Sequence, residues 1–261
     1  MWPGRSRGTA SAHDGCRTTT PHHDRIGGLS PGGLRRIMGR ATGEAVMETT
    51  RDMEQYYARR AQEYERIYQR PERQSDLQAL RATIEDALAG RDVLDIACGT
   101  GYFSACAARR ARSLQGIDAN EETLEWARAK AIPNASFRVG DAYELGRPAR
   151  PYSGALCTFW WSHIPKDRIE AFLRNVHEQL EPGAAVLFAD NTYVEGNSTP
   201  LVRTDAGGNT YQARTLESGA RYEVLKNFPN ADELIAWAMR FGMAVELRSL
   251  TYFWCLRYRV R

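Results

Sequence analysis

The stretch "VLDIACGTGYFSACAARRARSLQGIDAN", residues 93–120, constrains the fold more than any other part of the chain. Val93 to Ile96 reads as a buried strand, Gly99-Thr100-Gly101 as a tight turn, residues 102–110 as a helix and 113–117 as a second strand closed by Asp118. A strand, a crossover helix and a second strand form the unit of a parallel sheet, because parallel neighbours cannot be joined by a short hairpin. Glycine turns of this kind usually hold phosphate, since bare backbone N–H groups and a helix N-terminus attract anions. Here Asp95 stands four residues before Gly99. The ligand must therefore want backbone donors and a negative charge together.

Alternation continues along the middle of the chain. Strands are predicted near 92–97, 113–117, 135–139, 153–159 and 183–190, and helices near 102–110, 121–131 and 167–180. That rhythm predicts an α/β fold, a mostly parallel sheet with helices on both faces. Upstream, "MEQYYARRAQEYERIYQR" sets Tyr57, Ala61, Tyr64 and Tyr68 on one helical stripe, which Pro71 ends. "SDLQALRATIEDALAG" follows as a second helix, with Ser75 as N-cap and Gly90 as its stop. Residues 47–90 thus form an N-terminal helical lid. Beyond Asn191 the rhythm breaks. Residues 192–209 read as a polar loop, and "YQARTLESGARYEVLK" as a β-hairpin inserted after strand 5, so that 191–229 is an insertion on the substrate side. Residues 231–241 form a helix, and "MAVELRSLTYFWCLRYRV" supplies two strands that bring the sheet to seven.

Bulk properties narrow the function. A chain of 261 residues, 43% hydrophobic, accommodates one large domain. The formal charge of +3 arises within residues 1–50, which carry seven Arg against four acids; residues 51–261 are balanced. A balanced domain argues against a nucleic-acid partner, which calls for a basic face. Cys16, Cys98, Cys106, Cys157 and Cys255 show no CxxC pattern, so a metal site is not expected and reduced thiols in a cytoplasmic setting are. No apolar run reaches membrane-spanning length. Residues 1–46 hold nine glycines and three prolines with no apolar period, so they are expected to be a disordered tail or an over-extended start ahead of Met38 or Met47.

The glycine turn and its acids resemble those of class I S-adenosylmethionine (SAM) dependent methyltransferases. In that family the first strand ends in an acid before a glycine turn, here Asp95-Ile96-Ala97-Cys98-Gly99-Thr100-Gly101, with Ala97 where a first glycine is usual. The second strand ends in Asp118 and the third leads to Gly140-Asp141-Ala142. The resemblance implies a Rossmann-like fold and SAM as cofactor. It assigns Asp95 to the amino group, Asp118 to the ribose hydroxyls, and Asp141 and Ala142 to the adenine. Gly99, Thr100, Gly101, Ala119, Phe159 and Tyr64 complete the implied cofactor set. SAM has no phosphate and carries an ammonium, which answers the need for an acid beside a glycine turn.

The acceptor belongs beyond strand four, where "TFWWSHIP" places Phe159, Trp160, Trp161, Ser162 and His163. The Asx/Ser-Pro-Pro-aromatic motif of base-methylating enzymes is missing there, as is a Pro-Cys nucleophile. His163 is the candidate general base, or else it only bonds the acceptor or orders the loop. His177, among charged residues, is expected to be solvated. "YYARRAQEYERIY", "HIPKDRIEAF" and the pair Arg214 and Lys226 resemble a bacterial small-molecule O-methyltransferase group that includes enzymes acting on phosphonates. On that resemblance Arg214 and Lys226 clamp an anion, with solvated hairpin cations as the plain alternative. Tyr57, Tyr68 and Trp160 complete the substrate side. The function implied is methyl transfer to a small anionic acceptor. Methylation of S, N or C, and SAM binding without catalysis, remain the alternatives.

A chain beginning at Met47 is expected to melt within a few degrees of the full chain and to keep its SAM affinity. A large drop in melting temperature would show that residues 1–46 belong to the fold.

Overall fold

In the computed structural model, residues 64–215, 219 and 221–261 are described. The tail 1–46, Tyr57 and the first part of the lid lie outside the described residues, as does the side chain of Tyr64. Ten strands are present among them: β1 Asp92–Ile96, β2 Ser113–Asp118, β3 Ala135–Val139, β4 Tyr152–Thr158, β5 Leu180–Asn191, β6 Leu201–Thr204, β7 Thr210–Thr215, β8 Arg221–Leu225, β9 Gly242–Ser249 and β10 Phe253–Val260. Seven of them make one sheet in the order β3-β2-β1-β4-β5-β10-β9. Strands β1 to β5 pair in parallel, whereas β10 runs antiparallel to both β5 and β9. The expected seven-stranded, mostly parallel, Rossmann-like α/β architecture is present.

Burial follows from the residue pattern. Helix α1, Gln74–Ala87, buries Leu77, Leu80 and Ile84, spaced three and four apart on one face. With Phe103 of helix α2, Tyr102–Ala108, these residues form a core against one side of the sheet. Helix α3, Glu121–Ala129, turns Leu124 and Ala127 inward. On the other side, helix α4, Ile169–His177, and helix α5, Ala231–Phe241, enclose Phe172, Phe188, Leu234 and Tyr258. Strand β5 serves both cores: Val186 and Phe188 face one, while Ala185, Leu187 and Ala189 face the other. That two-sided burial is why β5 reads as an unbroken apolar run. A reciprocal capping box between Asn230 and Glu233 opens α5.

Local expectations are corrected in four places. Ser75 lies inside the first turn of α1, whose N-cap is Arg73. The described part of the lid helix, Tyr64–Gln69, is 3-10 rather than α; it ends before Pro71 as expected, and Pro71 opens a short 3-10 turn, Pro71–Arg73, because its fixed φ suits the start of a helical segment. Residues 192–209 are not all loop, since they contain β6, and the hairpin β7–β8 is part of a three-stranded antiparallel sheet in the order β6-β7-β8. All four β6 residues are exposed, so no alternating pattern marked the strand. His177 is half-buried rather than solvated; its Nε2 lies 2.8 Å from the Tyr258 hydroxyl and the two rings stack.

Candidate active site

Because β1 to β5 are parallel, their carboxyl ends share one edge of the sheet, and the candidate residues gather there. At the end of β1 the chain turns through Ala97, Gly99 and Gly101, at φ +54°, +56° and +73°. Ala97 bears a left-handed dihedral that glycine would adopt at less cost. At Gly101 packing adds a second demand, since a Cβ there would lie 3.0 Å from Ala127 Cβ and 3.4 Å from Phe137 Cζ. Backbone thus passes close over α3, and the turn is closed by the Gly101 N–H donating to Cys98 O at 3.0 Å.

Two acids, Asp95 and Asp118, flank this turn, and Asp141 follows β3. Asp118 accepts the Gly99 N–H at 2.8 Å and the Asn120 N–H at 3.0 Å, so it braces the turn from the end of β2. Burial raises its pKa, and those backbone donors work against the rise. Each of its oxygens keeps a further lone pair for a ligand hydroxyl. Asp141 is exposed and accepts the Tyr143 N–H at 2.8 Å, next to the buried Ala142. Asp95 is 1% exposed, and the Ser104 hydroxyl donates to its Oδ2 at 2.5 Å. Its Oδ1 is buried without a partner. Burial pushes the Asp95 pKa up to about 7, with the Ser104 bond opposing and the Asp118 charge assisting.

The orphaned Asp95 carboxylate oxygen beside a glycine turn matches a ligand that carries an ammonium. Asp118 matches a vicinal diol. These residues therefore fit SAM. The structure also gives Thr100 a contact that the sequence did not announce: its hydroxyl donates to Glu65 Oε1 at 2.8 Å, and Lys130 Nζ lies 2.7 Å from the same oxygen. Ala119, at the end of β2, is exposed. Ser104, absent from the predicted site, is the residue that holds Asp95.

Past β4, Phe159 sits at φ +61° with its N–H donating to Ala189 O at 2.7 Å. A bulky residue in that region is unusual and holds its ring where the packing demands. The ring contacts Tyr68, Phe103 and Phe253 at centroid distances of 5.8, 5.5 and 5.5 Å. Tyr68 is buried in this aromatic cluster and does not line the cleft beside it. Trp161 packs in the core against Phe188 and Trp254. Trp160 is half-buried, with its ring 6.1 Å from that of His163 and its Nε1 buried without a partner.

The cleft itself, about 100 Å³, is lined by Phe159, His163, Arg214 and Lys226 from among the candidates. Arg70, Arg73, Asn191 and Gln212 join them. Among the described residues no carboxylate lines it. Arg214 donates to Thr199 Oγ1 at 2.9 Å and to Gln212 Oε1 at 2.5 Å, both neutral. Lys226 is buried, and its Nζ donates to Ser162 Oγ at 2.5 Å and to Asp190 Oδ1 at 3.1 Å. Burial lowers the Lys226 pKa and Asp190 opposes that drop. Burial would raise Asp190, but Lys226, His163 and two backbone donors hold it below its ordinary value. Arg70 and Arg73 were missed in the sequence; their one signal was Pro71 between them, which takes the chain out of the lid helix.

His163 is buried, and its Nδ1 lies 2.7 Å from the Leu225 carbonyl. A carbonyl only accepts, so that nitrogen carries the ring proton. Burial first, then the Lys226 charge, depress its pKa from 6.5 to about 3. The unfolded chain takes up a proton near its ordinary pKa that the native imidazole refuses until far lower pH. Stability from this residue is therefore lost as pH falls through that window, by up to about 1.4 kcal/mol per pH unit. His163→Gln keeps a donor for Leu225 and removes the titration. The melting temperature of the variant is expected to gain on wild type as pH drops from about 7 to about 5, with a constant difference above that range. Parallel curves throughout would show that the imidazole titrates normally.

Comparison with known proteins agrees with this geometry. The family described as Methyltransferase domain matches residues 93–183. The ubiquinone biosynthesis O-methyltransferase of Pseudomonas fluorescens (strain Pf0-1) is 27% identical over 170 residues, covering 63% of this chain and 70% of the relative. That of Xanthomonas axonopodis pv. citri (strain 306) is 28% identical over 175 residues, covering 65% and 69%. Among solved structures, DhpI in complex with SAH superposes with a TM-score of 0.67 at 26% identity, over 80% of this chain and 96% of DhpI. The PH0226 protein of Pyrococcus horikoshii OT3, at 19% identity and a TM-score of 0.61 over 76% of this chain and 99% of its own, shares the fold. Turn, acids, strand order and relatives converge: residues 93–183 form a methyltransferase domain, and the chain is an enzyme that uses SAM as its methyl donor.

Proposed function

We propose that the enzyme methylates an oxygen of a small acceptor that is already anionic when it binds. The observation that carries this reading is the charge of the cleft beside Phe159, where Arg70, Arg73, Arg214 and Lys226 gather and no carboxylate is among the described lining residues. Of these, Lys226 is matched by Asp190, whereas the partly buried Arg73 and Arg214 repel each other, and an anionic guest relieves that cost. The O-methyltransferase relatives support oxygen over sulfur, nitrogen or carbon as the accepting atom. The resemblance of the hairpin to enzymes acting on phosphonates points the same way.

SAM, when bound, supplies a methyl group already activated on a sulfonium. The chain's own part is then alignment and exclusion of water. In this reading Asp95 holds the amino group, Gly99 and Gly101 let backbone approach the methionyl part, Asp118 takes the ribose and Asp141 with Ala142 the adenine. Arg214 anchors the acceptor. An oxyanion is nucleophilic without losing a proton, so no general base is required. His163, held neutral with a pKa near 3, is a weak base in any case. Its role here is to tie the loop after β4 to the Leu225 carbonyl and to shape the cleft. The balanced charge of residues 51–261 supports a free small molecule over a nucleic acid, and a cytoplasmic setting belongs to the same reading.

Release of S-adenosylhomocysteine in the presence of small phosphonates, carboxylates, phenols, thiols and amines tests the proposal. Turnover is expected with the anionic oxygen acids. On such a substrate Arg214→Gln should raise the acceptor KM roughly ten- to a hundred-fold, for a lost charge-assisted bond of about 1.5–3 kcal/mol, and leave SAM affinity unchanged. His163→Gln should lower kcat only a few-fold. Lys226→Ala differs, since it strands the Asp190 carboxylate in the interior at a cost of about 3–5 kcal/mol, and is expected to show first as a lower melting temperature. A silent Arg214 variant beside a crippled His163 variant would end the anionic reading.

Asp95 gives a separate test on the cofactor side. With its pKa raised to about 7, the Asp95 carboxyl must lose a proton to pair with an ammonium. SAM affinity is therefore expected to rise with pH between about 5 and 7, by up to about tenfold per unit, and Asp95→Asn to abolish the slope. Calorimetric titration at several pH values decides it; an equal slope in the variant would remove Asp95 from the site.

A further inference from the structure

Within the cleft the four cations are not equivalent. Lys226 is matched by the buried Asp190 carboxylate. Arg70 is exposed and stands 4.0 Å from Glu72. Arg73 and Arg214 make no ion pair with a carboxylate among the described residues. Both are nonetheless held in place, by neutral groups. Arg73 donates through Nη2 to Asn197 Oδ1 at 2.6 Å, and its guanidinium lies 5.3 Å from the Tyr252 ring centroid and 5.8 Å from that of Phe253. Arg214 donates to Thr199 and Gln212. Asn197 and Thr199 belong to the same loop after β5, so one segment aims both guanidinium groups.

Arg73 also carries an unmet demand. Its Nε is buried and has no acceptor among the described residues. A buried donor without an acceptor is rare in a folded protein and marks a place where something else binds. Burial lowers the Arg73 pKa first and Arg70 second, and the Arg214 charge contributes as well, which places the two guanidinium groups within each other's field. Two uncompensated forks fixed by amides and a hydroxyl, facing one space, form a receptor for planar or tetrahedral oxyanions.

We propose that Arg73 is an acceptor-binding residue, which with Arg214 forms a two-armed clamp that selects acceptors bearing a doubly charged oxyanion head over singly charged ones. This rests on the anionic-acceptor reading above and adds to it a residue and a charge count. Two unmatched positive charges are neutralised by one dianionic phosphonate or phosphate head, whereas a carboxylate leaves one of them exposed to the other. Methylation removes one negative charge from such a head, so the product is held less tightly than the substrate. Arg73 reaches the cleft from the segment whose Glu65 bonds Thr100 of the glycine turn, so the clamp's first arm is joined to the cofactor side through a short piece of chain.

Ethylphosphonate and propionate share a carbon skeleton and differ in head charge, and their binding can be measured by calorimetry on the whole chain saturated with S-adenosylhomocysteine, without turnover. At about pH 8.5, wild type is expected to bind ethylphosphonate at least about tenfold more tightly than propionate. Arg73→Gln should weaken ethylphosphonate about ten- to a hundred-fold, shrink the preference to near unity and leave S-adenosylhomocysteine affinity unchanged. Arg73→Lys, which keeps the charge and loses the fork, should fall between the two. Ethylphosphonate binding that is unchanged in both variants would overturn the clamp while leaving the anionic-acceptor reading intact. So would a loss of S-adenosylhomocysteine affinity equal to the loss of ethylphosphonate affinity, since that would place Arg73 in the scaffold. Failure of wild type to bind either anion, together with no turnover of anionic acids, would overturn that reading and the clamp with it.

Discussion

The ion pair between Lys226 and Asp190 is the joint on which the cleft beside Phe159 depends. Asp190 lies near the carboxyl end of β5 in the main sheet, and Lys226 follows β8 in the small one. Neither charge is stable in the interior alone, so each requires the other and the donors around them. Asp190 also accepts the Ser162 N–H at 2.8 Å and the Asn191 N–H at 2.7 Å. The loop after β4 is stitched to the small sheet through Asn227 N–H to Ser162 O at 2.7 Å and through His163 to Leu225 O. Phe159, His163, Arg214 and Lys226 come from three separate parts of the chain and meet because of this joint.

Charge divides the edge of the sheet into two halves of opposite sign. Beside the glycine turn are Asp95 and Asp118, both pushed up in pKa by burial. Beside Phe159 are the arginines and Lys226, with His163 kept neutral by burial and by Lys226. A cationic methyl donor on the first half and an anionic acceptor on the second would each be drawn to its own side. Their attraction for one another grows as water leaves the space between them. The aromatic ring of Phe159, fixed by a strained backbone, stands at the boundary.

Much of the fold was legible because its signals are local. Helix α5 follows its apolar stripe and its Asn230–Glu233 box, and the strands of the parallel sheet follow continuous apolar runs. Where the pattern was silent the reading failed: β6 is exposed on all four residues, and His177 sits among charged neighbours in sequence but against Tyr258 in space. Of the candidate site, the glycine turn, Asp95 and Asp118 stood out because strand, turn and acid occur at short spacing. Ser104, Arg73 and Gln212 did not, since their partners lie far away or in other elements.

The alternation of strands and helices and the glycine turn with its acids are local signals that obey backbone geometry, and the cofactor followed from the resemblance that the turn carries to SAM-dependent methyltransferases. Which cations face the cleft and which are already matched was set by packing in three dimensions. Lys226 and Arg214 look alike in the chain, twelve positions apart on one hairpin. One is consumed by a carboxylate 36 residues away and the other is left with neutral partners. That difference is set by long-range packing, since the energy of a charge depends on what surrounds it in space and not on its neighbours in sequence.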